Sequence, residues 1–308
     1  MKKIFIDGGA GTTGLRIKER LSSRDDLTVI TLPEDKRKET EYRKQCINEA
    51  DIAVLCLPDD AARQAVSLID NPDTVIIDTS TAHRTDAAFT YGFPEIKGFR
   101  EKIRNSKRIA NPGCHASGFI SLIFPLIAAG VLKNNIELSC FSLTGYSGGG
   151  KKMIAEYESA ERSSEFNAPR LYGLSQNHKH LPEMMTVCGL AYAPAFCPIV
   201  ADYYSGMEVT VPLFKSQTDV GIKDIKKIYS DYYKDGLVYF KENEQSLLSA
   251  CELSGFDDMQ ITVEGNEERI LLVSRFDNLG KGASGAAIQN INICLGIDED
   301  KGLRRSYD

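Results

Sequence analysis

Of the eight cysteines in this chain, at positions 46, 56, 114, 140, 188, 197, 251 and 294, one has a setting suited to nucleophilic chemistry. Cys114 sits in NPGCHASG, after a Pro-Gly turn and ahead of a helical stretch. A thiol at a helix N-terminus has its thiolate stabilised by the helix dipole and by free backbone N–H groups. The thiolate is the attacking form, so this placement prepares covalent catalysis. Most of the other seven lie in apolar runs, such as AVLCLP around Cys56 and LSCFSL around Cys140. They read as reduced, buried thiols. The sequence has no C-x-x-C and no Cys/His grouping with zinc-ligand spacing, so no metal is expected.

A thiol nucleophile needs a base, and the chain has four histidines, at 83, 115, 178 and 180. His115 follows Cys114 directly, but successive helix positions do not face each other. His178 and His180 lie in GLSQNHKHLPEM. Pro182 disfavours helix at the residue before it, so the stretch is expected to be extended. Both imidazoles would then share one face, with Glu183 just beyond to orient one of them. His83 lies in the STAHR segment, where the fork of Arg84 matches a phosphate or carboxylate.

The third feature is a glycine turn. Gly8, Gly11 and Gly14 follow the apolar run KIFI and open a helical stretch, which is the context a dinucleotide-binding loop demands. Backbone N–H groups and the helix dipole would meet a pyrophosphate there, and Thr12 and Thr13 could donate hydrogen bonds to phosphate. The second strand, LTVITL, brings no acid until Glu34, where an NAD site often has one to hold the ribose 2′-OH. Lys36, Arg37 and Lys38 come next and could meet a 2′-phosphate, so NADP is favoured.

The elements that hold these residues follow a pattern. KIFI, LTVITL, IAVLCL and TVIIDTS are strands separated by helical stretches, which predicts an α/β domain with a parallel sheet covered on both faces. STAHR follows the fourth strand and so falls at the carboxyl end of that sheet, where ligands bind. This places Ser80 with the cofactor-binding residues and Arg84 with the substrate-binding ones. After about residue 110 the pattern changes. An apolar helix, FISLIFPLIAAGVL, is expected to kink at Pro125. IELSCFSLTGYS, GMEVTVPLF and ERILLVSRF are spaced as in an antiparallel sheet, giving a second, α+β domain over about 115–280. KGASGAAIQNINICLG then returns to helical spacing.

The 308 residues are 42% hydrophobic and 26% charged, with a net charge of −6. No region reads as disordered, and the acidic balance sets nucleic acid aside as a partner. The N-terminal apolar run is too short for a signal peptide and no stretch approaches the roughly 18 residues of a membrane span. A soluble, cytoplasmic protein is expected.

These blocks together resemble the N-acetyl-γ-glutamyl-phosphate reductase family in its shorter form. The matching segments are GGAGTTGL at 8–15, DTSTAHR at 78–84, YGFPEI at 91–96, NPGCHASG at 111–118, HKHLPEM at 178–184 and DNLGKGASGAAIQNIN at 277–292. The resemblance implies the aspartate-semialdehyde dehydrogenase type of fold. In it a Rossmann-type NADP domain (1–114 and 281–308) is joined to an α+β catalytic and dimerisation domain (115–280), with a C-terminal helix returning to the Rossmann domain. It implies Cys114 as nucleophile, His178 or His180 as base, and Asn278, Gly280, Gly282 and Ala283 at the cofactor. Asn111, in the NPGC block, is placed with the substrate. The implied reaction is NADPH-dependent reduction of an acyl phosphate to an aldehyde through a thioester, by a homo-oligomer, dimer or tetramer. Aspartate-semialdehyde dehydrogenase itself is a rival, expected to carry its histidine further downstream, and this chain has none after 180. An aminoadipyl-type substrate and a non-enzymatic NADP(H) sensor are the remaining alternatives.

Overall fold

The computed structural model describes residues 1–33, 35–36 and 39–306. They divide into two compact units, Met1–Pro112 with Ala283–Leu303, and Gly113–Gly282 with the segment from Arg304.

The first unit begins with β1 (Lys2–Asp7), α1 (Thr12–Ser22), β2 (Leu27–Thr31), α2 (Thr40–Glu49), β3 (Ile52–Leu55), α3 (Asp59–Ser67) and β4 (Val75–Asp78). It continues through β5 (Thr90–Tyr91), α4 (Phe99–Asn105) and β6 (Arg108–Ala110). The strands form one sheet in the order β2-β1-β3-β4-β6-β5, with every pairing parallel. Alternation along the strands divides their apolar side chains between two cores. Ile4, Ile6, Val54 and Ile77 join Ile17 and Leu21 of α1 on one side. Phe5, Ala53, Leu55 and Ile76 join Ile47 of α2 and Ala65 of α3 on the other. This burial on both faces explains the near-continuous apolar strands.

Asp7, the last residue of β1, is almost wholly buried and accepts hydrogen bonds from Arg43 Nε at 3.1 Å and Nη2 at 2.8 Å. Burial pushes its carboxyl up, and the Arg43 guanidinium pulls it back in part. The arginine on α2 thus compensates an acid at the mouth of the glycine turn.

The second unit begins with α5 (Cys114–Ala128), β7 (Ser139–Gly145), α6 (Gly150–Glu158), β8 (Arg170–Leu171), α7 (Leu181–Cys188) and β9 (Ala195–Ala201). It ends with β10 (Met207–Phe214), α8 (Ile222–Tyr232), β11 (Val238–Phe240), β12 (Met259–Gly265) and β13 (Arg269–Phe276). Its sheet has the order β11-β12-β13-β10-β7-β9-β8. The three strands expected to be antiparallel, β7, β10 and β13, are paired so, within a sheet that is mixed as a whole. The β12–β13, β13–β10, β10–β7 and β9–β8 pairings are antiparallel, whereas β7–β9 and β11–β12 are parallel. The three strands expected from sequence are neighbours in the order β13-β10-β7, and the two parallel pairings arise where β9 and β11 join them.

α5 is buried along nearly its whole length. At Gly118 a Cβ would stand 2.4 Å from Val209 Cγ2 and 2.9 Å from Ser274 Oγ, so glycine lets the helix lie directly on β10 and β13. Pro125 lies inside α5, which continues to Ala128. Lacking an N–H, it leaves the Ser121 carbonyl without its helical partner. The Tyr233 hydroxyl donates to that carbonyl at 2.7 Å, and Tyr229 on α8 donates to the next one, of Leu122. The helix break the proline invites is thus met by two tyrosines.

The chain passes back to the first unit through a π-helical turn, Gly280–Ser284, into α9 (Gly285–Leu295). α9 is buried from Gly285 to Ile293, and Ala287, Ile288 and Ile291 join the Ile4–Ile77 core. Among the described residues, no helix is long and apolar enough to cross a membrane.

Candidate active site

Cys114 is the first residue of α5 and is half-buried. The N-cap is Gly113, which has no side chain of its own to cap the helix. Glu183 Oε2 accepts the Gly113 N–H at 3.1 Å, which ties the start of α5 to the first turn of α7. Glu183 is 1% exposed, and its other oxygen lies 3.9 Å from His180 Nε2. A Cβ on Gly282 would stand 3.0 Å from the Cys114 Cβ, so the turn after β13 closes directly on the cysteine. All eight cysteines are free thiols. Burial pushes Cys56 and Cys294 up to about 12, and Cys140 and Cys188 further still.

The structure brings His178 and His180 together, with ring centroids 4.8 Å apart. The expected extended segment is corrected, because His180 has helical backbone angles and caps α7, with Pro182 in the first turn. The N–H that proline lacks is one of those left unbonded at a helix start anyway, so Pro182 begins the helix rather than preventing it. The two rings meet through this turn, not through strand alternation. The His180 N–H donates to His178 Nδ1 at 3.2 Å, so a neutral His178 carries its hydrogen on Nε2. Burial, with Lys179 next, holds His178 below the usual imidazole range.

His115 is a third member of the cluster, and the sequence reasoning missed it. Its ring lies 5.5 Å from His178 and 5.4 Å from His180. Nδ1 meets Ser142 Oγ at 2.7 Å and Nε2 meets Tyr172 Oη at 2.7 Å. These contacts span 27 and 57 residues, and no local pattern marks them. Burial first, then His178 and Lys179, pushes His115 down to about 3.

A folded-state imidazole held below its unfolded value contributes stability that is present above about pH 6.5 and is lost as pH falls toward 3. The His115 contribution should shrink by about 2 kcal/mol between pH 7 and pH 5. Urea unfolding at the two pH values checks this, and the His115→Gln chain should show a shallower slope.

In the first unit, Gly8 has φ +87°, and a Cβ there would stand 2.3 Å from the Cys56 carbonyl oxygen. A Cβ on Gly14 would stand 2.8 Å from the Gly8 oxygen, whereas one on Gly11 would meet nothing nearer than 3.9 Å. Gly8 and Gly14 therefore fold the turn onto β3, and Gly11, the N-cap of α1, leaves its approach open. No side chain caps α1, and Thr12 Oγ1 is buried without a hydrogen-bond partner among the described residues. An uncapped helix start with an unused hydroxyl suits a pyrophosphate, so these residues fit the dinucleotide. Thr13 is the next residue of α1. Lys36 is ion-paired with Glu39 at 2.9 Å, while Glu34, Arg37 and Lys38 lie outside the described residues.

Beyond β4, Ser80 Oγ donates to Asp78 at 2.7 Å. His83 Nδ1 is 2.7 Å from the same carboxylate oxygen and its ring stacks on Phe89, which gives His83 a structural setting. Arg84 Nε donates to the Asn111 carbonyl at 3.0 Å and Nη2 to the Thr79 carbonyl at 3.1 Å. The Asn111 side chain is buried, donates to the Ala283 carbonyl at 3.1 Å and accepts from Asn290 at 3.1 Å. In the second unit, Asn278 accepts from the Gly206 N–H at 2.9 Å and donates to Ser147 Oγ at 3.0 Å. A Cβ on Gly280 would stand 2.1 Å from the Phe256 oxygen. Among the described residues, no group of three or more His, Cys, Asp or Glu is arranged to hold a metal ion.

Two family profiles match the chain, "Semialdehyde dehydrogenase, NAD binding domain" over residues 3–106 and "Semialdehyde dehydrogenase, dimerisation domain" over 114–278. The chain is 42% identical to N-acetyl-gamma-glutamyl-phosphate reductase 2 of a Nostoc species, covering 98% of this chain and 99% of the relative. It is 45% identical to N-acetyl-gamma-glutamyl-phosphate reductase of Brucella ovis, covering 96% and 99%. Among solved structures, aspartate semialdehyde dehydrogenase II of Vibrio cholerae shares the fold with a TM-score of 0.72, at 16% identity, over 96% of this chain and 98% of that one. Aspartate semialdehyde dehydrogenase of Candida albicans, solved with NADP, has a TM-score of 0.70 at 13% identity, over 96% and 99%. Matched along nearly its whole length, the chain belongs to the N-acetyl-gamma-glutamyl-phosphate reductase family of semialdehyde dehydrogenases.

Proposed function

We propose that this protein reduces N-acetyl-glutamyl 5-phosphate to N-acetyl-glutamate 5-semialdehyde with release of phosphate, a step of arginine biosynthesis in the cytoplasm. The observation that carries the reading is Cys114 at the start of α5, where the Glu183 carboxylate accepts the Gly113 N–H and lies 3.9 Å from His180. Residues 1–114 with 281–308 form the dinucleotide-binding domain and end their first stretch on the nucleophile, and 115–280 form the catalytic and oligomerisation domain that supplies the base.

His180, oriented by Glu183, takes the Cys114 proton. The sulfur attacks the acyl carbon, a C–S bond forms, and the C–O bond to phosphate breaks. N–H groups at the start of α5 stabilise the oxygen that becomes negative. Bound NADPH supplies the hydride that reduces the resulting thioester. The C–S bond then breaks, the aldehyde leaves, and His180 holds a proton near the oxygen as charge moves back to sulfur. His178, bonded through Nδ1 to the His180 backbone, fixes that turn.

Gly8, Gly11, Thr12, Thr13 and Gly14 hold the pyrophosphate, with Ser80, Asn278, Gly280, Gly282 and Ala283 completing the cofactor contacts. Arg84, held by the Asn111 carbonyl, binds the substrate's anionic group.

The reaction run backward gives the test. The protein is mixed with N-acetyl-glutamate semialdehyde, phosphate and NADP, and cofactor reduction is followed, with aspartate semialdehyde in parallel. Phosphate-dependent reduction with the acetylated substrate alone is expected. Reduction with aspartate semialdehyde alone would overturn the substrate, and none with either would overturn the reaction.

The protein is proposed to act as a homo-oligomer, dimer or tetramer. On one side of the second sheet Leu143, Ile199 and Leu171 face one another, Phe141 lies opposite Cys197 and Thr210, and Pro212 faces Leu271, with Glu208 opposite Leu143. Phe141, Leu171 and Leu271 are exposed there, an apolar face suited to a second copy. Phe141→Arg should give a lower mass by light scattering at unchanged helix content, and an unchanged mass would place the interface elsewhere.

A further inference from the structure

α9 is buried within the first unit, and three of its buried side chains are polar, Gln289, Asn290 and Asn292. Asn292 holds the carbonyls of Glu299 and Lys301, and Gln289 meets Glu95. Asn290 instead reaches the segment that leads to the nucleophile. Its Nδ2 donates to the Gly92 carbonyl at 2.9 Å and to Asn111 Oδ1 at 3.1 Å. Asn111 Nδ2 donates onward to the Ala283 carbonyl at 3.1 Å. The reach depends on Gly92, where a Cβ would stand 2.5 Å from Asn290 Nδ2.

The two carbonyls fix which way both amides point. With the Asn290 amide turned over, its oxygen would face the Gly92 carbonyl. With Asn111 turned over, its oxygen would face the Ala283 carbonyl. Either change sets two acceptors together with no hydrogen between them. The row therefore runs one way, from Asn290 through Asn111 to Ala283. This orientation has a cost, because Asn290 Oδ1 is buried with no hydrogen-bond partner among the described residues. An apolar residue, like Ile288 and Ile291 beside it, would avoid that cost and would not leave a polar atom in the core. What asparagine brings in return is the pair of donors on its nitrogen.

Asn111 in turn carries Arg84. Arg84 Nε donates to the Asn111 carbonyl at 3.0 Å and Nη2 to the Thr79 carbonyl at 3.1 Å, two bonds that set the plane of the guanidinium. The Asn111 N–H donates to the Asp78 carbonyl at 2.7 Å. Asn111 is thus held at its backbone nitrogen and at both atoms of its side-chain amide, and the direction of its carbonyl follows. We propose that Asn290 is a positioning residue that locks Asn111 and, through it, aims the Arg84 guanidinium at the substrate's anionic group. The proposal rests on the reading of Arg84 as the anion-binding residue. It makes that subsite depend on a helix that follows the whole catalytic domain in the chain, so the arginine is aimed only once α9 has docked.

Two measurements test this on the intact protein. Proton exchange at the Arg84 Nε–H, followed by NMR on arginine-labelled protein and assigned by its loss in Arg84→Lys, reads the lock without any substrate. Asn290→Ala removes the donors and should speed this exchange at least about tenfold while amide protection in β1, β3 and β4 stays that of the parent. Gly92→Ala displaces Asn290 from the other side and should do the same. Unchanged exchange would overturn the proposal, and so would loss of strand protection in both variants, which would make the role structural. The second measurement is a kinetic cycle. Arg84→Lys keeps the charge and loses the fork, so it should raise the KM for phosphate or for N-acetyl-glutamate semialdehyde, whichever supplies the anion it holds. Asn290→Ala should raise that same KM about tenfold with kcat changed less than about threefold, and should add at most about twofold when combined with Arg84→Lys. Effects that multiply in the double variant would mean that Asn290 does not act through Arg84, and would overturn the proposal. Faster Arg84 exchange in a protein that turns over no semialdehyde would leave the lock standing and remove the proposed function instead.

Discussion

Replacing Cys114 by serine should lower phosphate-dependent NADP reduction by at least roughly 10⁴-fold while leaving cofactor binding intact. A serine hydroxyl is far less acidic than a thiol, so the helix start and His180 that suffice for a thiolate do not suffice for an alkoxide. The substitution is nearly isosteric at a half-buried position, so the unfolding midpoint should change little. Steady-state kinetics with cofactor titration by fluorescence separates the two effects. Turnover within tenfold of the parent would mean that the acyl group never resides on this residue.

The second large effect lies in the other unit, at Gly8→Ala. Its φ of +87° disfavours any side chain, and the new Cβ would meet the Cys56 carbonyl carbon at 2.8 Å as well as its oxygen at 2.3 Å. That carbonyl follows β3 in a parallel sheet and cannot retreat without carrying the strand with it. The combined strain and overpacking should cost about 2–4 kcal/mol and displace the turn, lowering NADP affinity at least tenfold. Gly11→Ala is the control, since φ there is −75° and the nearest atom to its Cβ is 3.9 Å away. It should fold as the parent does. Equal losses in both variants would mean that the turn tolerates no side chain anywhere, and that the clash at Gly8 is not the cause.

Local pattern announced some of these features and hid others. The strand, glycine turn and helix around Gly8–Gly14 are written in consecutive residues, because the turn needs φ above zero and close packing at fixed offsets. Four strands of the first sheet were legible because burial on both faces makes them continuously apolar, whereas the short β5 and β6 went unread. The α7 start was misread because one proline rule, extension before proline, competes with another, proline in the first helical turn, and tertiary contacts chose the second. The mixed second sheet was hidden because strand direction depends on how distant segments meet, which alternation within a strand does not encode. Cys114 stood out through its turn-and-helix setting. The partnership of His115 with Ser142 and Tyr172 carries no signature, since three ordinary residues meet only when folded together.

The order of segments in the first unit has a consequence for how the chain is made. On a ribosome, residues 1–112 emerge before 113–282, with Ile17, Leu21 and Ile77 still lacking Ala287, Ile288 and Ile291 of α9. The contiguous stretch Gly113–Gly282 is complete before that helix appears. Domains generally fold as units during synthesis, N-terminal ones first. Here the unit begun by residues 1–112 must wait for a helix made after the whole of 113–282, so the nascent protein carries an open apolar sheet while that stretch is translated. Its dependence on chaperones should therefore be set by the interval before α9 is released, and a ribosome stalled short of residue 285 would hold a cofactor fold that has no way to close.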